Sequence, residues 1–334
     1  METGGWSTLV PDGFVNKIID RVIMDFLLDA KGIVKRYGTH TALDHVSISV
    51  PEGCIFGLLG PNGAGKTTFI RIINQITAPD EGEVLLKGKK LSREHIYDVG
   101  YLPEERGLYR NMKVGEQAMY LAQLKGLSRM EASKRLHEWF EKFGIDSWWN
   151  RKVAELSKGM QQKIQFVVTV LHKPSLLIFD EPFSGFDPIN AQLLKDEILE
   201  LKRKGATIIF STHNMASVEE ICDEIALINK SKKILDGKVE DIRRQFSDNI
   251  YHVMLHSSPE KMEELASAVE VMENTPCDAP GLYALKVKMG EGKGDGNRML
   301  ETLMRYGEVK DFSEKLPSMN DIFIQTVKKA ENEK

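Results

Sequence analysis

Residues Gly60 to Thr68 read Gly-Pro-Asn-Gly-Ala-Gly-Lys-Thr-Thr, with the apolar run Cys54–Leu59 just before them and Phe69, Ile70, Ile72 and Ile73 just after. The apolar run predicts a buried strand. The residues behind the loop, spaced for one face of a helix, predict a helix opening at about Gly65. Between the two, glycines allow backbone N–H groups to close around an anion. The helix N-terminus adds unpaired donors and a partial positive charge. The pattern GxxxxGK[ST] is met by Gly60, Gly65, Lys66 and Thr67. The whole stretch (Gly60, Pro61, Asn62, Gly63, Ala64, Gly65, Lys66, Thr67 and Thr68) is therefore expected to cradle nucleotide phosphates. Lys66 is expected to reach the β- and γ-phosphates, and Thr67 to offer a hydroxyl to Mg²⁺.

A strand, a glycine loop and a helix in that order belong to an α/β domain, and the flanking sequence agrees. Strand-like segments lie at 26–36, 45–50, 176–179, 206–211 and 224–229, and 113–172 looks mainly helical. Ser128 with Glu131 reads as a capping box opening one of those helices. Asp187-Pro188 reads as an N-cap followed by proline at the first helical position. Strands alternating with helices imply a parallel sheet. The main domain is expected to span 25–245, with a helical subdomain at about 105–172. From 246 the texture changes to short alternating strands (251–255, 282–289), helical stretches (259–269, 298–306 and after Pro317) and a glycine-rich loop, Gly290–Gly296. Residues 246–334 are expected to form a small α+β domain without a catalytic constellation. Residues 1–24 carry Ile18, Ile19, Val22 and Ile23 at helical spacing. They read either as a short amphipathic helix that touches a membrane or partner or, the reading favoured, as a disordered or non-native N-terminal extension with Met24 as the natural start.

Composition narrows the partners. The 334 residues carry a net charge of −4, which argues against a dedicated nucleic-acid binder. Three cysteines, Cys54, Cys222 and Cys277, show no metal-ligand spacing and read as free thiols in a reducing compartment. No apolar run reaches the roughly 18 residues that would mark a membrane-spanning helix. The expected location is the cytoplasm, with any membrane role exercised through a partner.

A second motif adds chemistry to the loop. Leu176-Leu177-Ile178-Phe179-Asp180-Glu181 is an apolar strand ending in two acids. Asp180 is expected to hold Mg²⁺ through water. Glu181 stands next to it, placed to orient or deprotonate an attacking water.

With these residues in hand the chain resembles the nucleotide-binding subunit of ATP-binding cassette (ABC) transporters over residues 25–245. Tyr37, in Lys35-Arg36-Tyr37-Gly38, sits where that family stacks a ring on adenine. Leu156-Ser157-Lys158-Gly159-Met160 occupies the place of the family signature. Ser184-Gly185-Phe186-Asp187 matches the loop after the catalytic acid, and His213, in Ser211-Thr212-His213-Asn214, matches the switch histidine at the γ-phosphate. The resemblance implies an ABC-type P-loop fold with a parallel sheet core, an antiparallel β subdomain and a helical subdomain. It implies ATP and Mg²⁺ as ligands. It implies two subunits packed head to tail, either a homodimer or a pair with a second ATPase subunit, so that Ser157 and Gly159 of one face the ATP held by the other. A transmembrane permease would convert closure of the pair into transport.

Two departures stand out. Glu104, in Tyr101-Leu102-Pro103-Glu104-Glu105-Arg106-Gly107, replaces the glutamine that the family places near Mg²⁺. A carboxylate still offers a hard oxygen to that cation, and Arg106 is a candidate to offset its charge. Lys158 and Met160 alter the signature, while Ser157 and Gly159, the phosphate-facing positions, are kept. The Pro103–Gly107 form and the C-terminal domain ending Pro317-Ser318-Met319-Asn320-Asp321-Ile322-Phe323-Ile324 resemble the bacterial sodium-efflux and multidrug-export subset. Ribosome-acting members usually carry two cassettes, and DNA-repair members insert coiled coils or zinc sites. This chain has one phosphate loop, and only about 90 residues separate Thr68 from Ser157. A regulatory protein that holds ATP without hydrolysing it would not need Glu181 and His213.

Overall fold

The computed structural model describes residues 26–105, 107–288 and 296–332. The expectations for residues 1–24, for Arg106 and for all but the last residue of the Gly290–Gly296 loop lie outside the described residues. The chain divides into two compact units, residues 26–214 with 221–236, and residues 215–220 with the remainder from 237.

In the first unit, β1 (Phe26–Tyr37) and β2 (His40–Pro51) form a long hairpin, β3 (Ile55–Leu59) leads into the glycine loop, and α1 (Lys66–Ile73) leaves it. Then follow β4 (Glu81–Leu86), β5 (Lys89–Lys90) and β6 (Val99–Leu102). Three helices come next, α2 (Val114–Leu124), α3 (Arg129–Phe143) and α4 (Lys158–Val170), before β7 (Leu176–Asp180), α5 (Pro188–Arg203) and β8 (Thr207–Thr212). After α6 (Met215–Ile221) the unit closes with β9 (Glu224–Asn229) and β10 (Lys232–Lys238).

Two sheets result. An antiparallel sheet has the order β2-β1-β4-β5, and a six-stranded sheet has the order β10-β9-β3-β8-β7-β6. Within the latter, β9, β3, β8, β7 and β6 pair in parallel. Its central strands are buried along their whole length, as the apolar runs require of a sheet covered on both faces. The core joins Leu28, Ile33, Leu43 and Ile48 of the antiparallel sheet to Phe69, Ile70 and Ile73 of α1 and to Ile178, Ile209 and Ile228 of the parallel sheet. Each such side chain contributes about 1.5–3 kcal/mol relative to exposure. That burial, rather than local propensity, stabilises an eight-residue helix such as α1.

The helices at 114–170 are held to the sheet by aromatic packing. Phe166 lies 5.5 Å from Phe179 of β7 and 6.1 Å from Trp139 of α3, measured between ring centroids. The expected capping box at Ser128 is only half present. The Ser128 hydroxyl accepts from the Glu131 N–H, but the Glu131 carboxylate accepts from Arg135 Nε at 2.6 Å instead of reaching back. A charge-assisted bond to a guanidinium outcompetes a bond to a neutral N–H. Asp187 caps α5 as expected, its Oδ1 accepting from Ile189 and Asn190 N–H groups with Pro188 behind it.

The second unit is α+β. It contains most of α6 together with α7 (Val239–Gln245), β11 (Ile250–His256), α8 (Pro259–Ala268), β12 (Glu270–Pro276), β13 (Leu282–Lys288), α9 (Gly296–Tyr306), β14 (Glu308–Glu314) and α10 (Met319–Asn332). Its antiparallel sheet has the order β12-β13-β11-β14. Tyr251, Val253 and Leu255 alternate inward on β11 and pack with Leu285, Val287, Met262, Leu265, Met299 and Leu303. Glu219 of α6 accepts from the Met319 N–H, and Arg243 Nε of α7 donates to the Pro317 carbonyl, so α6, α7 and the start of α10 share one polar knot. Among the described residues no helix is long and apolar enough to cross a membrane.

Candidate nucleotide-hydrolysis site

The strand order assembles the site. β3, β8 and β7 are neighbours, with Leu59 opposite Thr212 and Asp180 opposite Ser211. The glycine loop, the 212–214 turn and the Asp180-Glu181 pair therefore emerge side by side at the carboxyl ends of adjacent parallel strands, where open α/β sheets bind ligands.

Glycine is required in the loop for steric reasons. Gly65, the N-cap of α1, has φ 119°, and a Cβ there would come within 2.5 Å of the Ala42 carbonyl oxygen and 2.9 Å of Leu43. Gly60 has φ 147°, and a Cβ there would strike the Ile228 backbone carbonyl. Ser231 braces the loop from outside. Its N–H donates to the Ala64 carbonyl at 3.1 Å, and its hydroxyl donates to the Thr41 carbonyl at 2.6 Å. This ties the loop to the hairpin whose end pair is Tyr37 and His40. Tyr37 is half exposed, with Lys35 Nζ 5.5 Å from its ring centroid.

Lys66 is buried and folds back over the loop, donating to the Gly60 carbonyl at 2.6 Å and the Pro61 carbonyl at 3.2 Å. Burial depresses its pKa, while the charges of Glu181, Asp180 and Glu104 act in the opposite sense. Thr67 is exposed at the first turn of α1. Asp180 is buried, and burial raises its pKa. Glu104 and Glu181 push the same way and Lys66 opposes them. Glu104 thus faces the same electrostatic centre as the loop lysine and the strand-end acids. Three carboxylates beside one lysine form a site short of positive charge.

Glu181 is the most constrained member. Its backbone has φ 49°, in the left-handed region that a side chain seldom occupies. Its N–H donates to the Ser211 carbonyl at 2.9 Å. Its Oε1 accepts from the His213 N–H at 2.9 Å and lies 2.6 Å from His213 Nδ1, and its Oε2 accepts from the Thr212 hydroxyl at 3.1 Å. Glu181 is largely buried, while the His213 side chain is 69% exposed. Strain held by this many bonds is characteristic of active sites.

Ser157 and Gly159 stand apart from this cluster. Ser157 is exposed and caps α4, its hydroxyl accepting from the Met160 N–H at 3.3 Å. A Cβ at Gly159 would meet only the Phe186 ring, at 3.7 Å. Buried Gln162, one turn along α4, donates to the Ser184 carbonyl at 2.6 Å and so fixes the loop after Glu181 against the signature helix. In the sequence Thr212 stands only as a member of Ser211-Thr212-His213-Asn214, and no pattern marks Gln162 or Ser231. The one signal available was a hydroxyl next to His213, which does not say which way the hydroxyl points.

The fold and the site define a P-loop ATPase. A model of the ABC transporter family matches residues 43–184, and one for the "ATP-binding protein DrrA1-3-like, C-terminal domain" matches residues 237–327. The ABC transporter ATP-binding protein YhaQ of Bacillus subtilis is 40% identical over 310 residues, covering 90% of this chain and 98% of YhaQ. The linearmycin resistance ATP-binding protein LnrL of the same organism is 35% identical over 65% of this chain and 70% of its own length. A solved structure described as the ATP binding subunit of an ABC transporter superposes with a TM-score of 0.62 at 34% identity, over 66% of this chain and 93% of that one. The chain belongs to the ATP-binding subunits of ABC transporters. It binds and hydrolyses ATP, and as such a subunit it works with a transmembrane partner.

Proposed function

We propose that this subunit powers an exporter of small molecules, working as a head-to-tail pair on the cytoplasmic face of the membrane. Glu181 is the general base: water attacks the γ-phosphorus, its proton passes to the Glu181 carboxylate, and the bond to the β-bridging oxygen breaks to release ADP and phosphate. Lys66 and the loop N–H groups hold the phosphates, Tyr37 stacks on the adenine, and His213 leaves Glu181 to contact the γ-phosphate. Mg²⁺ fits the donor set. Thr67, Asp180 and Glu104 offer only hard oxygens, and the Asp180 carboxylate, raised by burial and its acidic neighbours, gains from a nearby cation. When bound, the cation would neutralise charge on the phosphates. The observation that carries the hydrolytic reading is Glu181, strained and triply bonded at the end of β7 beside the glycine loop.

Pairing is supported by the exposed N-terminus of α4, where Ser157 and Gly159 present N–H donors that their own chain does not use for phosphate. A docking surface for the permease is supported by a cavity of about 450 Å³ lined by Ile76, Ile96, Tyr101, Leu108, Leu121 and Leu124, of which Ile76, Ile96 and Leu124 are more than half exposed. Such a groove suits an apolar helical segment of the membrane partner. Export of a drug-like cargo is supported by the likeness to a linearmycin resistance protein. Two measurements test the reading. Steady-state ATPase of Glu181→Gln is expected to fall 10²–10⁴-fold. Vesicles carrying the subunit with its co-purified membrane partner are expected to move small amphipathic drugs outward from the ATP side. Equal rates in wild type and Glu181→Gln would remove the base, and transport of sodium alone would remove the cargo.

A further inference from the structure

We infer that Thr212 is a positioning residue for ATP hydrolysis, holding the Glu181 carboxylate in its working orientation when His213 moves away. The inference rests on Glu181 acting as the base. Three consecutive residues at the end of β8 grip Glu181. The Ser211 carbonyl takes its backbone N–H, the Thr212 hydroxyl donates to Oε2, and His213 binds Oε1 through both its N–H and its ring.

These grips differ in permanence. The His213 ring is exposed and is the group that a γ-phosphate would draw off. Thr212 is 2% exposed, pairs with Leu59 in the sheet, and its hydroxyl is itself oriented because it accepts from the Asn214 N–H at 3.0 Å. That acceptor bond turns the hydroxyl hydrogen toward Glu181. Once the His213 ring swings out, Oε1 keeps the His213 backbone N–H and Oε2 keeps the Thr212 hydroxyl, so of these grips Thr212 supplies the side-chain bond that still restrains rotation of the Glu181 carboxylate. A base whose carboxylate rotates freely loses alignment with the attacking water, and alignment is a large part of what a general base contributes. Because the Thr212 hydroxyl is committed to Glu181 and the Asn214 N–H, its removal should lower kcat and leave nucleotide affinity alone.

The experiment compares Thr212→Val, which keeps the shape and deletes the hydroxyl, with Thr212→Ser, which keeps the hydroxyl, and with Glu181→Gln as reference. Each is measured for kcat, KM for MgATP, fluorescent-nucleotide affinity and thermal midpoint, in the full chain with its membrane partner. Thr212→Val is expected to lose about tenfold or more in kcat, as for a hydrogen bond to a charged group. Its KM and affinity should stay within twofold, and Thr212→Ser should recover most of the rate. A rate in Thr212→Val within twofold of wild type, or a loss in Thr212→Ser as large as in Thr212→Val, would overturn the inference. So would a kcat loss matched by lost affinity or a collapsed thermal midpoint. If Glu181→Gln itself turns over like wild type, it is the assignment of the base that fails.

Discussion

Glu181 Oε1 lies 2.6 Å from His213 Nδ1, so the histidine that follows β8 is engaged by the acid that follows β7. The contact implies a choice for His213 between the carboxylate and a γ-phosphate, which compete for the same ring. In the ATP-bound pair the phosphate contact should dominate, leaving Glu181 to the water. His213→Ala is then expected to lose about a hundredfold in kcat, the usual scale for one charge-stabilising donor, with ATP binding largely kept. Single-turnover hydrolysis by the purified variant measures this, and a loss under threefold would leave His213 without its role.

Gly159 offers a separation of stability from function. Its φ lies outside the left-handed region and a Cβ would make only ordinary contact with Phe186. In a helical first turn, glycine to alanine at such a position stabilises a chain by about 0.4–1 kcal/mol. Gly159→Ala should therefore melt no lower than wild type while, on the proposed head-to-tail pairing, turning over ATP markedly more slowly, because the added methyl would intrude on a nucleotide held by the partner copy. A variant that keeps full ATPase activity would show that nothing approaches Gly159 closely.

His172 ties stability to pH. Burial lowers its pKa to about 4, with the Lys125 charge acting in the same direction. The unfolded chain binds a proton at about pH 6.5 that the folded chain refuses until about pH 4. Stability contributed at neutral pH is thus lost as pH falls through that window, not as it rises. Allowing for partial solvent access, the loss is on the order of 1–2 kcal/mol. Urea unfolding at pH 7 and pH 4.5 should show a steeper decline for wild type than for His172→Gln. Parallel declines would assign the acid sensitivity elsewhere.

Glu104 adds a third carboxylate beside Asp180 and Lys66. Replacing it with glutamine removes that charge and keeps an oxygen for the cation. Glu104→Gln should hold ATPase activity within about tenfold, or roughly 1.4 kcal/mol of barrier, and should bind ATP without divalent cation at least as tightly as wild type. A drop beyond a hundredfold would make the acid essential to the reaction.

Much of this was legible along the chain because the relevant signals are local. Gly60, Gly65 and Lys66 announce a phosphate loop through φ requirements and spacing alone, and the run Leu176–Asp180 announces a buried strand through unbroken apolarity. Asp187 before Pro188 marks a helix start by the same kind of short-range rule. The short strands β4, β5 and β6 and the edge strands β10, β12 and β14 were not legible. Their residues are polar or few, and only pairing with a neighbour makes them strands. Ser128 misled for a related reason, since Arg135, a turn away, claimed the Glu131 carboxylate.

The sequence by itself marked Gly60–Thr68 as a phosphate-loop pattern and set Asp180, Glu181 and His213 in one motif order, because spacing and residue type carry that information. Only the tertiary structure decided how they meet. Parallel pairing of β7 and β3 with β8 brings residues more than a hundred positions apart to the carboxyl ends of adjacent strands, and there the Thr212 hydroxyl, unremarkable in the sequence, is turned by the Asn214 N–H onto Glu181. Hydrogen-bond direction is set by three-dimensional packing, and no one-dimensional pattern encodes it.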